Sequence, residues 1–427
     1  MMLTILAVSF LLLMLIGVPI GFAVIIGSML ALLFGGTVNP LIMPQRIFAG
    51  MDNFSLLAIP FFLFTGALMS LGGLSDRLIR FANALVGRFR GGLAISNVLT
   101  SVLFGGISGS AVADTSALGR TFIPAMVRSG YSPAFSVAVT ACSAPLSPMI
   151  PPSIAWILYG FLTDTSILRL FIAAIIPSLL WAVVMIAVVV WKAHRGQMTV
   201  QPPAPMREVL STARAAGFAL LLPVFILVGI RMGVFTVTEA AAIAVLYAIG
   251  IGLIYRELNL ATLAASLRST VQSTAVVMII IGGAGLFSWV LAYTKTPETV
   301  AAWILSVADT PVAFLLLVNV VLVILGTFME VNAAKIMILP ILFPVAQQLG
   351  IDPVHFGVIV TANLCLGLLT PPVGIVLALA CRIGDVPLEK GVAATFPFFM
   401  AGVATVLILT LVPGLSLWLP NLVLGAP

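Results

Sequence analysis

A chain of 427 residues that is 62% hydrophobic and 7% charged, with a mean hydropathy of +1.26, lies outside the range of soluble domains and reads as a multi-spanning membrane protein. The net charge of +6 rests on so few side chains that it reports the bias of loops, and it argues against nucleic acid as a partner. Cys142, Cys365 and Cys381 sit in apolar runs without metal-ligand spacing, so neither a disulfide framework nor a zinc site is expected.

Apolar runs of about 20 residues cover a ~30 Å hydrocarbon core, and the chain holds enough of them for about ten or more crossings. Its spread of Phe and Pro favours broken helices over the weak alternation of a β-barrel. Residues 2–34 form either one long helix kinked at Pro19 or two short ones; no basic segment precedes them, so a cleavable signal peptide is not expected. Residues 52–73 make the next crossing. The stretch 74–92, with Arg77, Arg80, Arg88 and Arg90, reads as a cytoplasmic loop by the positive-inside rule.

Residues 93–107 are apolar for only about 15 positions, roughly 22 Å of helix, too short to span. A second short run, 111–127, follows the knot Ser108-Gly109-Ser110. The pair reads as a re-entrant hairpin, allowed where protein or a wet cavity covers its backbone; two tilted helices with a Gly-Ser loop are the alternative. The run 133–163 is interrupted by Pro145, Pro148, Pro151 and Pro152 and reads as a discontinuous helix with freed carbonyls near Ala144 to Met149. Residues 168–191 cross back to a basic loop, 192–214, containing the stiff linker Gln201-Pro202-Pro203-Ala204-Pro205. The pair 215–232 and 237–255 and a crossing at 271–293 follow.

The remainder repeats the plan. A gapless shift of 220 positions carries Gly106 onto Gly326, Pro124 onto Pro344, Gly130 onto Gly350, Pro133 onto Pro353 and Pro151-Pro152 onto Pro371-Pro372. The second copy has a short run 311–326, a tip at 326–330, a return run to about 349, a broken helix 353–382 and a crossing 395–419. The arginine-rich stretch 74–92 maps onto 294–312, which carries only Lys295, Glu298 and Asp309, and the basic loop 192–214 maps onto the uncharged 412–427. Equivalent loops thus lie on opposite sides of the membrane, as in an inverted-topology repeat. The expected fold is an all-α polytopic membrane protein with two re-entrant helical hairpins and two discontinuous helices.

Such a repeat brings both tips to the bilayer midplane beside the breaks, where half-helix N-termini favour anions and unwound carbonyls favour sodium. The first copy offers Ser108, Ser110, Asp114, Thr115, Ser143 and Ser147; the second offers Thr327, Glu330, Asn332, Asn363 and Thr370. These are hard oxygen ligands, suited to a small hard cation. Any single Ser or Thr more often bonds back to its own helix. Matched polar pairs, Ser143 on Asn363 and Ser110 on Glu330, strengthen the site reading. The carboxylates are costly in a membrane and so point to function, with a structural salt bridge to Arg120 or Lys335 as the plainer role. His194 and His355 are isolated, and no enzyme chemistry is expected: a serine or aspartyl intramembrane protease lacks its partner residues, and a passive channel leaves the matched breaks unexplained.

The motifs ISGSAVADTSALG (107–119), PMIPPSIA (148–155), GIDPVHFGV (350–358) and LGLLTPPVGIVL (366–377) closely resemble the large membrane subunit, DctM type, of tripartite ATP-independent periplasmic (TRAP) transporters, over essentially the whole chain. The resemblance implies a bacterial inner-membrane secondary transporter of the ion transporter superfamily. It would be sodium-driven and work by an elevator in which a transport domain slides against a scaffold. It implies a separate small four-helix membrane subunit, a periplasmic binding protein, and an organic acid anion such as a C4-dicarboxylate or a sialic acid as cargo. No cofactor beyond sodium ions is implied. It places sodium at Ser108, Gly109, Ser110, Ser143 and Ser147 in one copy and Gly326, Thr327, Met329, Asn363 and Thr370 in the other. Substrate is placed at Ser108, Asp114, Pro152, Ser153, Thr370 and Pro371. The implied division is 1–92 scaffold, 93–165 transport, 166–270 scaffold and linker, 271–390 transport and 391–427 scaffold. A self-sufficient sodium:anion symporter of the same superfamily is the neighbouring alternative.

Overall fold

In the computed structural model, residues 1–35, 38–71, 73–196 and 204–425 are described. The chain is 83% helical, with no strand among the described residues. The first half runs α1 (Met2–Leu15), α2 (Ile20–Gly35), α3 (Ile42–Met51), a short 3-10 turn, α4 (Ala58–Leu71), α5 (Leu74–Val86), α6 (Gly92–Ser108), α7 (Ala111–Arg128), α8 (Pro133–Ser143), α9 (Leu146–Met149), α10 (Ile154–Thr163) and α11 (Ile167–Arg195). The second runs α12 (Met206–Arg231), α13 (Val237–Ile254), α14 (Leu260–Tyr293), α15 (Thr296–Val307), α16 (Pro311–Phe328), α17 (Val331–Gln348), α18 (Pro353–Gly367), α19 (Ile375–Ile383), α20 (Leu388–Leu411) and α21 (Gly414–Leu424).

The shift of 220 holds in the helices as well as in the punctuation. Moving α7 (111–128) by 220 gives 331–348, the bounds of α17; α6 moves to 312–328 against α16 at 311–328, and α10 to 374–383 against α19 at 375–383. Local chemistry fixes these bounds. Ser132, Thr310 and Asp352 each cap a helix whose first residue is proline, at Pro133, Pro311 and Pro353, where the missing N–H costs nothing and φ is preset. Both Pro-Pro bonds, Pro151-Pro152 and Pro371-Pro372, are cis.

Among the described residues, eight helices are long and apolar enough to cross a membrane, or nine with the bent pair 133–149 and 154–163, which turns by 46°. That is fewer than the ten or so expected, because the remaining apolar length lies in helices such as α1, α2, α6 and α18 that fall short of a full crossing. Residues 2–34 resolve into two helices separated at Gly17 to Pro19. The arginine-rich stretch 74–92 is largely helical rather than a loop. In α5, Leu74, Leu78 and Ala82 are buried on one face, while Arg77 pairs with Glu257 and lies 3.7 Å over the Tyr255 ring. The basic loop 192–214 is shorter than expected, since Lys192 and Arg195 end α11 and Arg207 and Arg214 begin α12; Gln201 to Pro203 fall outside the described residues. The last crossing divides at Val412 into α20 and α21.

Packing interlocks the repeats. Each return arm lies against the half-helix beyond the break of the other copy: α7 against α19, and α17 against α10. The long α14 packs on α2, α3 and α4, and its outer half shares a separate apolar core with Met2, Leu6, Val24, Leu32 and Met43. It runs unbroken through the expected boundary at 270/271.

Candidate functional site

The first tip turns at Gly109, whose φ of +62° is open to glycine and strained for other residues. Ser110 then caps α7, accepting from Ala113 N at 3.4 Å. The tip is seated on the break of its own repeat. A Cβ added at Gly105 would come within 3.1 Å of Ser147 Cα, and one at Gly106 within 3.1 Å of Pro151 O. The second tip does the same: a Cβ at Gly326 would come within 2.7 Å of Leu364 O, and Gly374 N donates to Thr327 O at 3.3 Å. There Glu330 takes the capping position, accepting from Asn332 N at 2.9 Å and Ala333 N at 3.3 Å.

Both tips line one cavity of about 630 Å³. Ser108, Gly109 and Ser110 contribute from the first, Glu330, Asn332 and Ala333 from the second, and Pro19 with the start of α2, Ile20 to Phe22, lines it as well. Beyond the tips its lining carries further hydroxyls: Ser269, Thr270 and Ser273 on α14 and Ser70 on α4. These come from the N-terminal half of α14 and the C-terminal half of α4, so the cavity extends from the tips toward the face that bears Arg77 and Arg80 on α5. No lysine, arginine or histidine lines it among the described residues.

Behind the first tip lies a buried polar cluster. Ser101 Oγ donates to Asp114 Oδ2 at 2.9 Å and lies 3.1 Å from Ser143 Oγ; Asn97 Nδ2 donates to Thr140 Oγ1 at 2.6 Å. Asp114 Oδ1, Ser147 Oγ and Asn97 Oδ1 are buried without a hydrogen-bond partner. Behind the second tip, Asn363 Nδ2 donates to Asn319 Oδ1 and Ile359 O, both at 2.8 Å, and Asn319 Nδ2 donates to Thr410 Oγ1 at 2.9 Å; Asn363 Oδ1 has no partner. Since 143 + 220 = 363, the two clusters sit at equivalent places. Buried oxygens left unpaired are costly, and such acceptors suit a small hard cation.

Other candidates lie away from the cavity or hold contacts of their own. Asp114 does not line the cavity; α7 turns it inward to Ser101, beside the candidate cation ligands Ser143 and Ser147. Neither Asp114 nor Glu330 forms an ion pair with Arg120 or Lys335: among the described residues Arg77–Glu257 is the one salt bridge. Two carbonyls of the first break are already taken, Pro148 O by Ser153 Oγ at 2.7 Å and Met149 O by Trp156 Nε1 at 2.9 Å. Thr115, Thr327 and Thr370 bond back to Ala111 O, Val323 O and Leu366 O of their own helices. Pro152, Ser153, Thr370 and Pro371 are not among the cavity-lining residues, although Ile154 is. Met329 is buried. Sequence reasoning missed Ser101, Asn97, Asn319 and the hydroxyls of α14 and α4. The α14 hydroxyls at 266, 269, 270 and 273 recur at helical spacing, the one signal that could have found them.

Comparison with known proteins agrees in kind. The family described as "Tripartite ATP-independent periplasmic transporter, DctM component" matches residues 7–415. Over 411 residues the chain is 39% identical to the sialic acid TRAP transporter large permease protein SiaM of Vibrio cholerae serotype O1, covering 96% of each. Over 377 residues it is 42% identical to the C4-dicarboxylate TRAP transporter large permease protein DctM of Pseudomonas aeruginosa, covering 88% of each. The crystal structure of the YdaH transporter of Alcanivorax borkumensis matches with a TM-score of 0.64 at 16% identity, covering 88% of this chain and 89% of that one; at that identity the likeness is one of fold.

Proposed function

The chain belongs to the DctM component family of tripartite ATP-independent periplasmic transporters, and on that basis we propose that it is the large permease of a sodium-coupled importer of a small organic acid anion. Its relatives carry sialic acid or C4-dicarboxylate in their names, and this chain takes a carboxylate of that class. The observation that carries the reading is the meeting of both tips in one hydroxyl-lined cavity, each tip seated on the break of its own repeat and backed by a buried polar cluster, with Asp114 Oδ1, Ser147 Oγ and Asn97 Oδ1 unpaired in the first and Asn363 Oδ1 unpaired in the second.

Sodium occupies the two clusters. One is Asp114, Ser143 and Ser147 with Ser101 and the tip residues Ser108 to Ser110; the other is Asn363 with Asn319 and the tip at Gly326 to Met329. Bound cations offset the absence of a basic side chain from the cavity among the described residues, so the anion is held by hydroxyls and tip amides beside sodium-filled sites. α6 with α7 and α16 with α17 act as re-entrant hairpins. Together with the broken helices they form a transport domain that slides, elevator-fashion, against a scaffold that includes α14. The cavity's extension toward the arginine-rich face corresponds to a site open to the cytoplasm. The chain works in the inner membrane with a small membrane subunit and a periplasmic binding protein that delivers the anion.

Ligand-linked stability of the purified chain tests the coupling sites, since a ligand of the folded state stabilises by about 2.7 kcal/mol at a hundredfold excess over Kd. Sodium is expected to raise the melting temperature where potassium and choline do not, and Ser147→Ala or Asn363→Ala is expected to blunt the rise. Equal shifts with all three cations would remove sodium from the proposal.

A further inference from the structure

Lys335 is a fully buried lysine, 0% exposed, five residues past Glu330 on α17. It makes no salt bridge among the described residues, whose one such pair is Arg77–Glu257; Glu330 attracts it across a longer distance. An ammonium inside a membrane domain without a carboxylate in contact is costly and marks a site. Its Nζ donates to Ala155 O at 2.7 Å and lies 5.2 Å from the Trp156 ring centroid and 5.9 Å from that of Tyr159. A carbonyl oxygen with two aromatic faces is a cation-binding set. We infer that Ala155 O and the Trp156 and Tyr159 rings form a cation site on α10 which the chain fills with its own Lys335 ammonium, a tethered ion that pins the second hairpin to the first repeat.

The cage is held in place by bonds that do not involve the lysine. Trp156 is fixed by its Nε1 donating to Met149 O at 2.9 Å. The Tyr159 hydroxyl donates to Pro353 O at 2.6 Å, and its ring rests on Gly357, where an added Cβ would lie 2.7 Å from it. The pin also joins two walls of the cavity, since Ile154 lines it from α10 and Asn332, Ala333 and Ile336 line it from α17. The matching contact of α7 with α19 has no such device. A shift of 220 relates Lys335 to Thr115, Ala155 to Ile375, Trp156 to Val376 and Tyr159 to Leu379, so only one of the two cross-repeat seams is closed by a cation. Lys335 is thus a positioning residue for the second tip.

Chemical rescue tests this without relying on transport. In Lys335→Ala, n-propylammonium replaces the deleted chain and charge, whereas n-propanol replaces only the shape. The melting temperature of Lys335→Ala should fall below wild type and recover at least half of the loss with millimolar n-propylammonium. It should not recover with n-propanol, nor with either compound when Trp156→Leu is added. Equal recovery with alcohol and amine would reduce Lys335 to a space-filling role and overturn the inference. Lys335→Met, which keeps the length and loses the charge, provides a second reading should Lys335→Ala fail to fold. Its melting temperature is expected below wild type, and wild-type melting in Lys335→Met would equally overturn it.

Discussion

Replacing Asp114 by asparagine separates a structural carboxylate from one that holds a cation. The side chain is 1% exposed; Oδ2 accepts from Ser101 Oγ at 2.9 Å, and Oδ1 is unpaired. Asparagine keeps the shape and can keep the Ser101 bond. The change exchanges a hydrogen bond to a charged group, about 1.5–3 kcal/mol, for a neutral one of about 0.5–1.5 kcal/mol. Against that loss of about 1 kcal/mol, the cost of burying an uncompensated charge disappears. The fold in sodium-free buffer should therefore melt at or above the wild-type temperature. A cation beside the carboxylate loses a unit charge at about 4 Å, worth about 4 kcal/mol at an effective dielectric near 20, which is the ceiling of the effect. Recovered hydration reduces this, and the half-saturating sodium concentration is expected to rise about ten- to a hundredfold, at 1.4 kcal/mol per tenfold. Sodium titration of melting temperature and of uptake into proteoliposomes reads both quantities. An Asp114→Asn protein with a sodium curve within twofold of wild type would refute a cation held at that carboxylate.

Gly326→Ala forces a methyl to 2.7 Å from Leu364 O and 3.0 Å from Gly367 Cα, and overpacking of this kind costs about 1–3 kcal/mol. Gly250→Ala, whose methyl meets nothing within 4 Å, is its control; equal melting of the two would deny that the second tip is seated on its break. Ser273→Cys is expected to react with a membrane-impermeant thiol reagent added on the arginine-rich side, against a low background from the buried Cys142, Cys365 and Cys381. Labelling only from the opposite side would reverse the direction in which the cavity extends. Arg77 and Glu257 are 23% and 34% exposed, so a double-mutant cycle should give a coupling below about 1 kcal/mol; a larger value would make this contact a structural clamp.

The repeat was legible because its markers act locally. Ser132-Pro133, Asp352-Pro353, Gly130 and Gly350 start and stop helices wherever they occur, and they recur at 220 residues. The helix α5 was not read, although Leu74, Leu78, Phe81, Ala82 and Val86 recur at helical spacing and are buried or packed on the core, because four arginines dominate the composition of 74–92 and read as a loop. Of the site, the tips and the pair Ser143 and Asn363 were legible as polar residues at matched positions. The direction of Asp114 was not, since its contact with Ser101 depends on how α7 lies against α6. Lys335 was read as a salt-bridge partner for a carboxylate; Glu330 attracts it without contact, and packing of α17 on α10 presents it with a carbonyl and two rings. The hydroxyls of α14 escaped notice because serines in apolar helices ordinarily bond back to their own backbone, and only the tertiary fold turns them to the tips.

Uptake of a radiolabelled sialic acid or C4-dicarboxylate into proteoliposomes bears most directly on the proposed role. The vesicles would hold this chain with a small membrane subunit, with and without a loaded binding protein and an inward sodium gradient. Accumulation is expected only when sodium gradient and loaded binding protein are both present. Accumulation driven by sodium with this chain alone would instead identify a self-sufficient symporter, and accumulation indifferent to the gradient would contradict sodium coupling at the two polar clusters.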